Sequence, residues 1–336
     1  MDDPVKVLIV GGGSIGERHL RCFASVLGAA PGLCEINDEL RERLVDQYRP
    51  STTFASLDQA LDAHWDAAVI CTPAHCHVDH AMQLLPSVDA LLIEKPLATQ
   101  LADAERLVAA AKGRTVGVAY VFRAHPAVQA VRKALDAGEI GRLRQVTSVA
   151  GQHFPTFRPA YREIYYARRE TGGGAIQDAA THTLDLVQHL AGPLDWIFCD
   201  YAHQVLPDVE VEDTVHITAR AQGGEVLVSL ALNQFMAPNE SVVQLNGDRG
   251  SLRIELHAHR WGKRTHEDDA WHWSPALVTE RDELFRLQAT AFLAAASGDA
   301  ALLCDLNDGL STLRANLAAL ESAGQRRVAL TGVSSS

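Results

Sequence analysis

Short apolar runs separated by helix-length amphipathic stretches dominate the first third of the chain. Val5–Val10, Leu33-Cys34 ending at Glu35, Thr52–Phe54, Ala67–Cys71, Ala90–Ile93 and Thr115–Tyr120 are apolar or β-branched with little polar alternation. Runs of that kind read as strands buried on both faces. Between them, Ile15 to about Leu27, Glu39–Tyr48 and Thr99–Ala111 carry apolar residues at helical spacing, and Ser56-Leu57-Asp58-Gln59 reads as a capping box that opens another helix. This alternation predicts a doubly wound, mainly parallel α/β sheet over residues 1–122.

The rhythm changes after Arg123. A helix over Ala124–Ala137 and a strand over Leu143–Val149 are followed by a polar, aromatic stretch from Gln152 to Thr171. Trp196–Tyr201, Asp213–Ala221, Glu225–Leu232, Ser241–Gly247 and Ser251–His257 then alternate as strands, with turn signals at Gly223-Gly224 and Asn246-Gly247. Residues 123–336 are therefore expected to form a second α/β domain with a large, mostly antiparallel open sheet. One face of that sheet needs a cover that this chain does not supply, so a homodimer or homotetramer built through it is expected. His259–Pro275 reads as a loop, Arg281–Ala296 and Leu306–Ser322 as closing helices, and Gly332–Ser336 as a frayed tail.

Composition narrows the class. The chain has 336 residues, 47% hydrophobic and 21% charged, enough for two cores. A net charge of −12 argues against general binding to nucleic acid or anionic membranes. No apolar run is long enough to span a bilayer, and Met1-Asp2-Asp3-Pro4 leads into a strand without a signal-peptide pattern. Six scattered cysteines fit reduced thiols in a cytoplasm.

The candidate chemistry begins at Gly11-x-Gly13-x-x-Gly16, which lies between a strand and a helix. A dinucleotide fold needs glycine there for a tight turn, for backbone approach to the pyrophosphate and for helix packing. The helix start, Ser14 and Ile15, offers free N–H groups to phosphate. Glu35 lies where an acid accepts hydrogen bonds from the adenosine ribose, which favours NAD over NADP; Asn37 and Asp38 compete for that role or cap a helix. Glu94-Lys95-Pro96 follows a strand at the sheet edge where ligands bind, and a cis bond before Pro96 is one option. The density of thiols and imidazoles from Cys71 to His80 raises the question of zinc, but the ligand spacing is wrong, and no metal is expected. The Thr72-Pro73 loop is placed beside the cofactor, with His77 opening the next helix.

In the second half, His153, Phe154, Arg158, Tyr161, Arg162, Tyr165, Tyr166, Arg168 and Arg169 could hold a polyhydroxylated or anionic compound, or pack on a partner subunit. After Gly172-Gly173-Gly174, Asp178 and His182 are one helical turn apart. A carboxylate there can orient an imidazole base, and Asp185 can pair with it from the far side.

Taken in order, Gly11-x-Gly13-x-x-Gly16, Thr72-Pro73 with His77, Glu94-Lys95-Pro96, Arg123-x-His125-Pro126 and Gly172-Gly173-Gly174 before Asp178-x-x-x-His182 resemble the glucose–fructose oxidoreductase / inositol dehydrogenase (Gfo/Idh/MocA) family over nearly the whole chain. The resemblance implies a Rossmann domain, a second domain with an open sheet, and NAD(P)-linked oxidation or reduction of sugars, inositols and their derivatives. It also implies that Lys95, Asp178 and His182 are catalytic. Gly11, Gly13, Ser14, Ile15, Gly16, Glu35, Asn37, Thr72, Pro73, His77, Glu94, Lys95 and Arg123 are then expected at the cofactor. His153, Arg158, Tyr166 and Arg168 are expected to join the catalytic three at the substrate. Tyr120-Val121-Phe122 departs from relatives that carry a polar residue there. Two other readings are a glycoside-cleaving enzyme that oxidises transiently and an NAD-sensing binding protein.

Overall fold

The computed structural model describes residues 4–277 and 280–325; the Met1–Asp3 leader and the Gly332–Ser336 tail lie outside them. The first layer alternates strand and helix: β1 Val5–Val10, α1 Ser14–Ala24, β2 Ala29–Cys34, α2 Asp38–Tyr48, β3 Thr53–Phe54, α3 Leu57–Leu61, β4 Trp65–Ile70, α4 His77–Leu84, β5 Val88–Ile93, α5 Leu101–Ala110 and β6 Thr115–Val118. Its strands pair in parallel in the order β3-β2-β1-β4-β5-β6. Residues of β1 alternate between two cores. Leu8 and Val10 pack with Val78, Leu84 and Leu107 from the helices on one face. Val7 and Ile9 pack with Leu20 and Phe23 of α1 on the other. Burial on both faces explains why these strands lack polar alternation. The strand order reverses between β1 and β4, and the crevice at their carboxyl ends is where such sheets take ligands.

The second layer contains α6 Pro126–Asp136, β7 Leu143–Gly151, α7 Phe154–Phe157, α8 Thr181–Ala191, β8 Leu194–Ala202, β9 Thr214–Ala221, β10 Val226–Asn233, β11 Glu240–Gly247, β12 Gly250–Glu255, β13 Arg260–Thr265 and β14 His272–Trp273. They form a sheet in the order β14-β13-β12-β11-β7-β10-β9-β8, antiparallel except where β7 meets β10. One face packs Val146, Ile217, Val228 and Leu245 against Val128, Leu184 and Val187 of the helices. The opposite face leaves Trp196, Leu227 and Val149 about half exposed.

The stretch His259–Pro275, expected to be a loop, instead contributes β13 and β14. β14 is the edge strand, and β13 pairs with it on one side and with β12 on the other, while Arg260 lies over the Trp273 ring. The chain's last helices, α9 Glu283–Ala296 and α10 Leu306–Gln325, do not serve the second sheet alone. Phe292 of α9 meets Phe23 edge-on in the first core, and α10 lies against both β6 and β8. Residues after 122 therefore help to cover both sheets. Among the described residues no helix is long and apolar enough to cross a membrane. All six cysteines are unpaired.

Candidate active site

The carboxyl edge of the first sheet is built one residue beyond each strand. Gly11 N donates to Cys34 O, Cys71 N to Val10 O, and Glu94 N to Ile70 O. Gly11 adopts φ +93°, and a side chain there would lie 3.1 Å from the Cys71 and Thr72 backbone. A Cβ on Gly16 would strike the Gly11 carbonyl, so only glycine lets α1 approach this turn. Gly13 is different, because a Cβ on it would meet nothing. No side chain caps α1, and its first backbone bond runs from Glu17 N to Gly13 O. The N–H groups of Ser14, Ile15 and Gly16 therefore precede the ladder, beside open space, as an anion requires.

Glu35 stands at the end of β2 with its carboxylate already engaged. Oε2 accepts from Gly12 N at 2.5 Å and Oε1 from Asn37 N at 2.8 Å. These bonds aim an anionic acceptor at the glycine turn. Uncapped N–H groups and a fixed carboxylate suit the pyrophosphate and ribose of NAD, while a phosphate on that ribose would be repelled. Asn37 itself caps α2 by accepting from Leu40 N.

Several residues expected at the cofactor have their polar groups engaged within the protein. Both ring nitrogens of His77 are taken by backbone carbonyls, those of Pro96 and Thr72, at 2.8 Å each. This ties the loop carrying Thr72 and exposed Pro73 to the one carrying Lys95. The Lys95–Pro96 bond is cis. Glu94 is buried; it accepts from the Lys95 amide at 3.0 Å and bonds His19 of α1 at 2.7 Å. Arg123 is buried too, with its fork on Asp185 and a further bond of 2.6 Å to Asp308 of α10. Asp185 is thereby withdrawn from His182, the partner expected for it. Burial pushes the Asp185 carboxyl up to about 6, against the pull of Arg123, so the pair is ionic at neutral pH.

Across the crevice, Gly172 and Gly174, both at positive φ, lead into a π-helical turn over Ala175–Ala180 and then α8. The start of this turn is plugged by buried Glu212, which comes just before β9. Its backbone carbonyl accepts from Ala175 N, its carboxylate accepts from Ile176 N at 2.9 Å, and Arg169 pairs with it at 2.8 Å. Burial raises the Glu212 carboxyl, while these partners oppose the shift. A Cβ on Gly174 would lie 2.5 Å from that carboxylate.

The π turn delivers Asp178 to Lys95. Lys95 Nζ donates to Asp178 Oδ1 at 3.1 Å and to its backbone carbonyl at 3.3 Å. Arg158 NH1 reaches Oδ2 of the same carboxylate at 3.4 Å. The expected bond from Asp178 to His182 is not formed: His182 Nδ1 is buried with no partner among the described residues. The shift from π to α geometry between the two residues changes the facing that spacing alone suggests. Instead the imidazole lies between the rings of Tyr120 and Phe122, at 6.1 and 5.2 Å between centroids. Burial, reinforced by the charges of Lys95 and Arg158 and opposed by Asp178, pushes it down to about 3, so it is neutral.

Of the remaining expected substrate contacts, Tyr166 is an interior residue. It packs 4.9 Å from Phe154, and its hydroxyl bonds Gln234. His153 bonds Thr156 at 2.8 Å, and Arg168 is exposed. Sequence reasoning gave no role to Glu212, or to the Tyr120 hydroxyl that meets Thr181 at 3.0 Å. The departure at Tyr120–Phe122 was the available signal for the second.

Two family descriptions match this chain: "Oxidoreductase family, NAD-binding Rossmann fold" over residues 5–122 and "GFO/IDH/MocA C-terminal domain" over residues 128–253. Inositol 2-dehydrogenase of Rhizobium meliloti (strain 1021) is 24% identical over 96% of this chain and 98% of its own. A solved levoglucosan dehydrogenase, in complex with NADH and levoglucosan, superposes with TM-score 0.86 at 21% identity, over 96% of this chain and 98% of that one. The WlbA dehydrogenase from Bordetella pertussis, in complex with NADH and UDP-GlcNAcA, superposes with TM-score 0.81 at 24% identity, over 97% of each chain. At those identities the superpositions speak for the fold. With both parts matched in order, the chain belongs to the GFO/IDH/MocA oxidoreductase family, with an NAD-binding Rossmann fold.

Proposed function

We propose that this oxidoreductase transfers a hydride between NAD and a secondary alcohol carbon of a sugar, an inositol or a related polyol. The observation that carries the reading is the Lys95–Asp178 contact of 3.1 Å beside His182, which joins the ligand edge of the first sheet to the glycine run of the second layer. Relatives named for inositol and for levoglucosan support the substrate class. Residues 1–122 would hold the cofactor and residues 123–336 the substrate.

Bound NAD supplies the hydride acceptor, or the donor in the reverse direction. The chain's own groups handle the proton and the charge. The Lys95 ammonium, held by Asp178, donates a hydrogen bond to the reacting oxygen and stabilises negative charge as it develops there. His182, neutral before reaction, takes the hydroxyl proton. Its proton affinity in the free site is low, and charge developing on the oxygen raises it as the reaction proceeds. Asp178 sets the lysine rather than the imidazole. Tyr120 and Phe122 restrict the ring and exclude water beside it.

The half-exposed Trp196, Leu227 and Val149 on the open sheet face support a homodimer or homotetramer formed through that face. Six free thiols fit a reducing compartment such as the cytoplasm.

The test is a polyol panel followed by reduced-nicotinamide absorbance. A net rise in NADH that matches the ketone formed is expected. Consumption of a glycoside without net NADH would instead identify a redox-neutral cleavage.

A further inference from the structure

Among the described residues, the charges that bear on His182 carry a positive excess. Two cations, Lys95 and Arg158, share one carboxylate, Asp178, and Lys95 is the nearer at 3.1 Å against 3.4 Å. The second cation is in excess of what Asp178 requires. Arg158 is also set in place: its guanidinium lies 5.3 Å from the centroid of the Phe154 ring, which is itself buried against Tyr166. Apart from Asp178 and that ring, the Arg158 side chain has no partner among the described residues, so most of its planar fork of donors is open. Its neighbours are spent elsewhere. Arg162 reaches Tyr161 and Asp208, and Arg169 pairs with Glu212.

A solvated surface pair would contribute little and imply no ligand. This arginine differs because the carboxylate it touches is buried and already matched. The long-range field of a chain with net charge −12 is unfavourable for an anion, so the arrangement serves local selection rather than steering.

We propose that the substrate is an anionic polyol, a sugar or sugar-like compound whose carboxylate or phosphate group is gripped by Arg158 while its carbinol lies against Lys95 and His182. This rests on the dehydrogenase reading above and names the substrate class of that same site. An oxyanion fits the fork bidentately, which also fixes the carbinol relative to the catalytic groups. The same contact has a second effect. Lys95 and Arg158 both hold down the proton affinity of His182, and an anion gripped by Arg158 offsets that cation's share of the pull. Binding the correct substrate thus readies the base.

The test compares kcat/KM, with NAD, across matched sets: a neutral polyol, its counterpart with a carboxylate, and its counterpart with a phosphate monoester. The better anionic member should exceed the neutral one by about tenfold or more, the scale of one charge-assisted contact. In Arg158→Gln that ratio should fall towards one, and Arg158→Lys should keep part of it. Because the ratio is read within each variant, a general loss of activity cancels. Which anionic arm wins separates carboxylate from phosphate. Equal or better turnover of the neutral polyol would overturn the inference and leave the dehydrogenase reading standing, as would a ratio unchanged in Arg158→Gln. Turnover of no compound, with NADH still bound, would remove both.

Discussion

Two glycine-rich turns face each other across this crevice, and both start a helix, yet they leave its first turn in opposite states. After β1 the helix start is uncapped, and a side chain at Gly13 would point into open space. Before α8 the corresponding N–H groups are filled from within, by the backbone and carboxylate of Glu212. An open helix start is a site for a ligand's negative charge, whereas a plugged one is a rigid mount. The first suits the pyrophosphate of a dinucleotide. The second fixes the start of the turn that carries Asp178 and leads to His182.

Breaking the mount should have the largest consequence. Glu212→Ala removes the acceptor of a buried N–H and the partner of Arg169, for a loss of about 2–4 kcal/mol in urea unfolding with a fall in kcat. Glu212→Gln should restore much of kcat, because it keeps an acceptor for Ile176 N; equal damage from both variants would mean that charge alone matters. Next comes Gly174→Ala, which puts a Cβ against Glu212 at φ +94°, a region open to glycine. It should cost about 1–3 kcal/mol of stability and leave NAD affinity nearly unchanged. The mirror experiment is Gly13→Ala, which meets no atom of the described residues. Unfolding should be unaffected, while NAD binding by calorimetry should weaken by about tenfold, roughly 1.4 kcal/mol. If Gly13→Ala and Gly174→Ala behave alike, the contrast between the two turns is wrong.

The smallest effect near neutrality concerns pH. Burial lowers His125 and His189 to about 4 and His182 to about 3, from an ordinary value of 6.5. Below about pH 6.5 the unfolded chain therefore binds more protons than the fold, so stability should drop as pH falls towards 4. Thermal unfolding across that window checks the sign, and His189→Gln should flatten the slope.

The first turn was legible because everything that defines it is local: strand end, glycines and helix start are contiguous in the chain. The position of Lys95 was legible from the strand before it, but the role expected of it came only with the order of motifs along the whole chain. Arg123, His77 and Tyr166 show the limit, because a polar residue beside a motif looks the same in sequence whether it faces a ligand or braces the fold. Their partners decide, and these are remote: Asp185 is 62 positions from Arg123, and Gln234 is 68 from Tyr166. Glu212 left no signal, lying 36 positions from the N–H it fills, with no periodicity to connect them. The π turn was hidden as well, since residue type does not tell whether a short helical stretch bonds i to i+4 or i to i+5. The strands β13 and β14 were masked by their charged and polar residues, which hide the apolar alternation of a strand.

If Lys95 belongs to the chemistry and the glycine turn to cofactor binding, the two functions are separable. Lys95→Ala measured twice tests it most directly, once for NADH affinity by calorimetry and once for turnover of the preferred polyol. The account predicts NADH affinity within about threefold of the unaltered protein, under 1 kcal/mol, and a kcat lower by about a thousandfold or more. Turnover that survives in Lys95→Ala, or NADH binding that collapses along with it, would contradict the account.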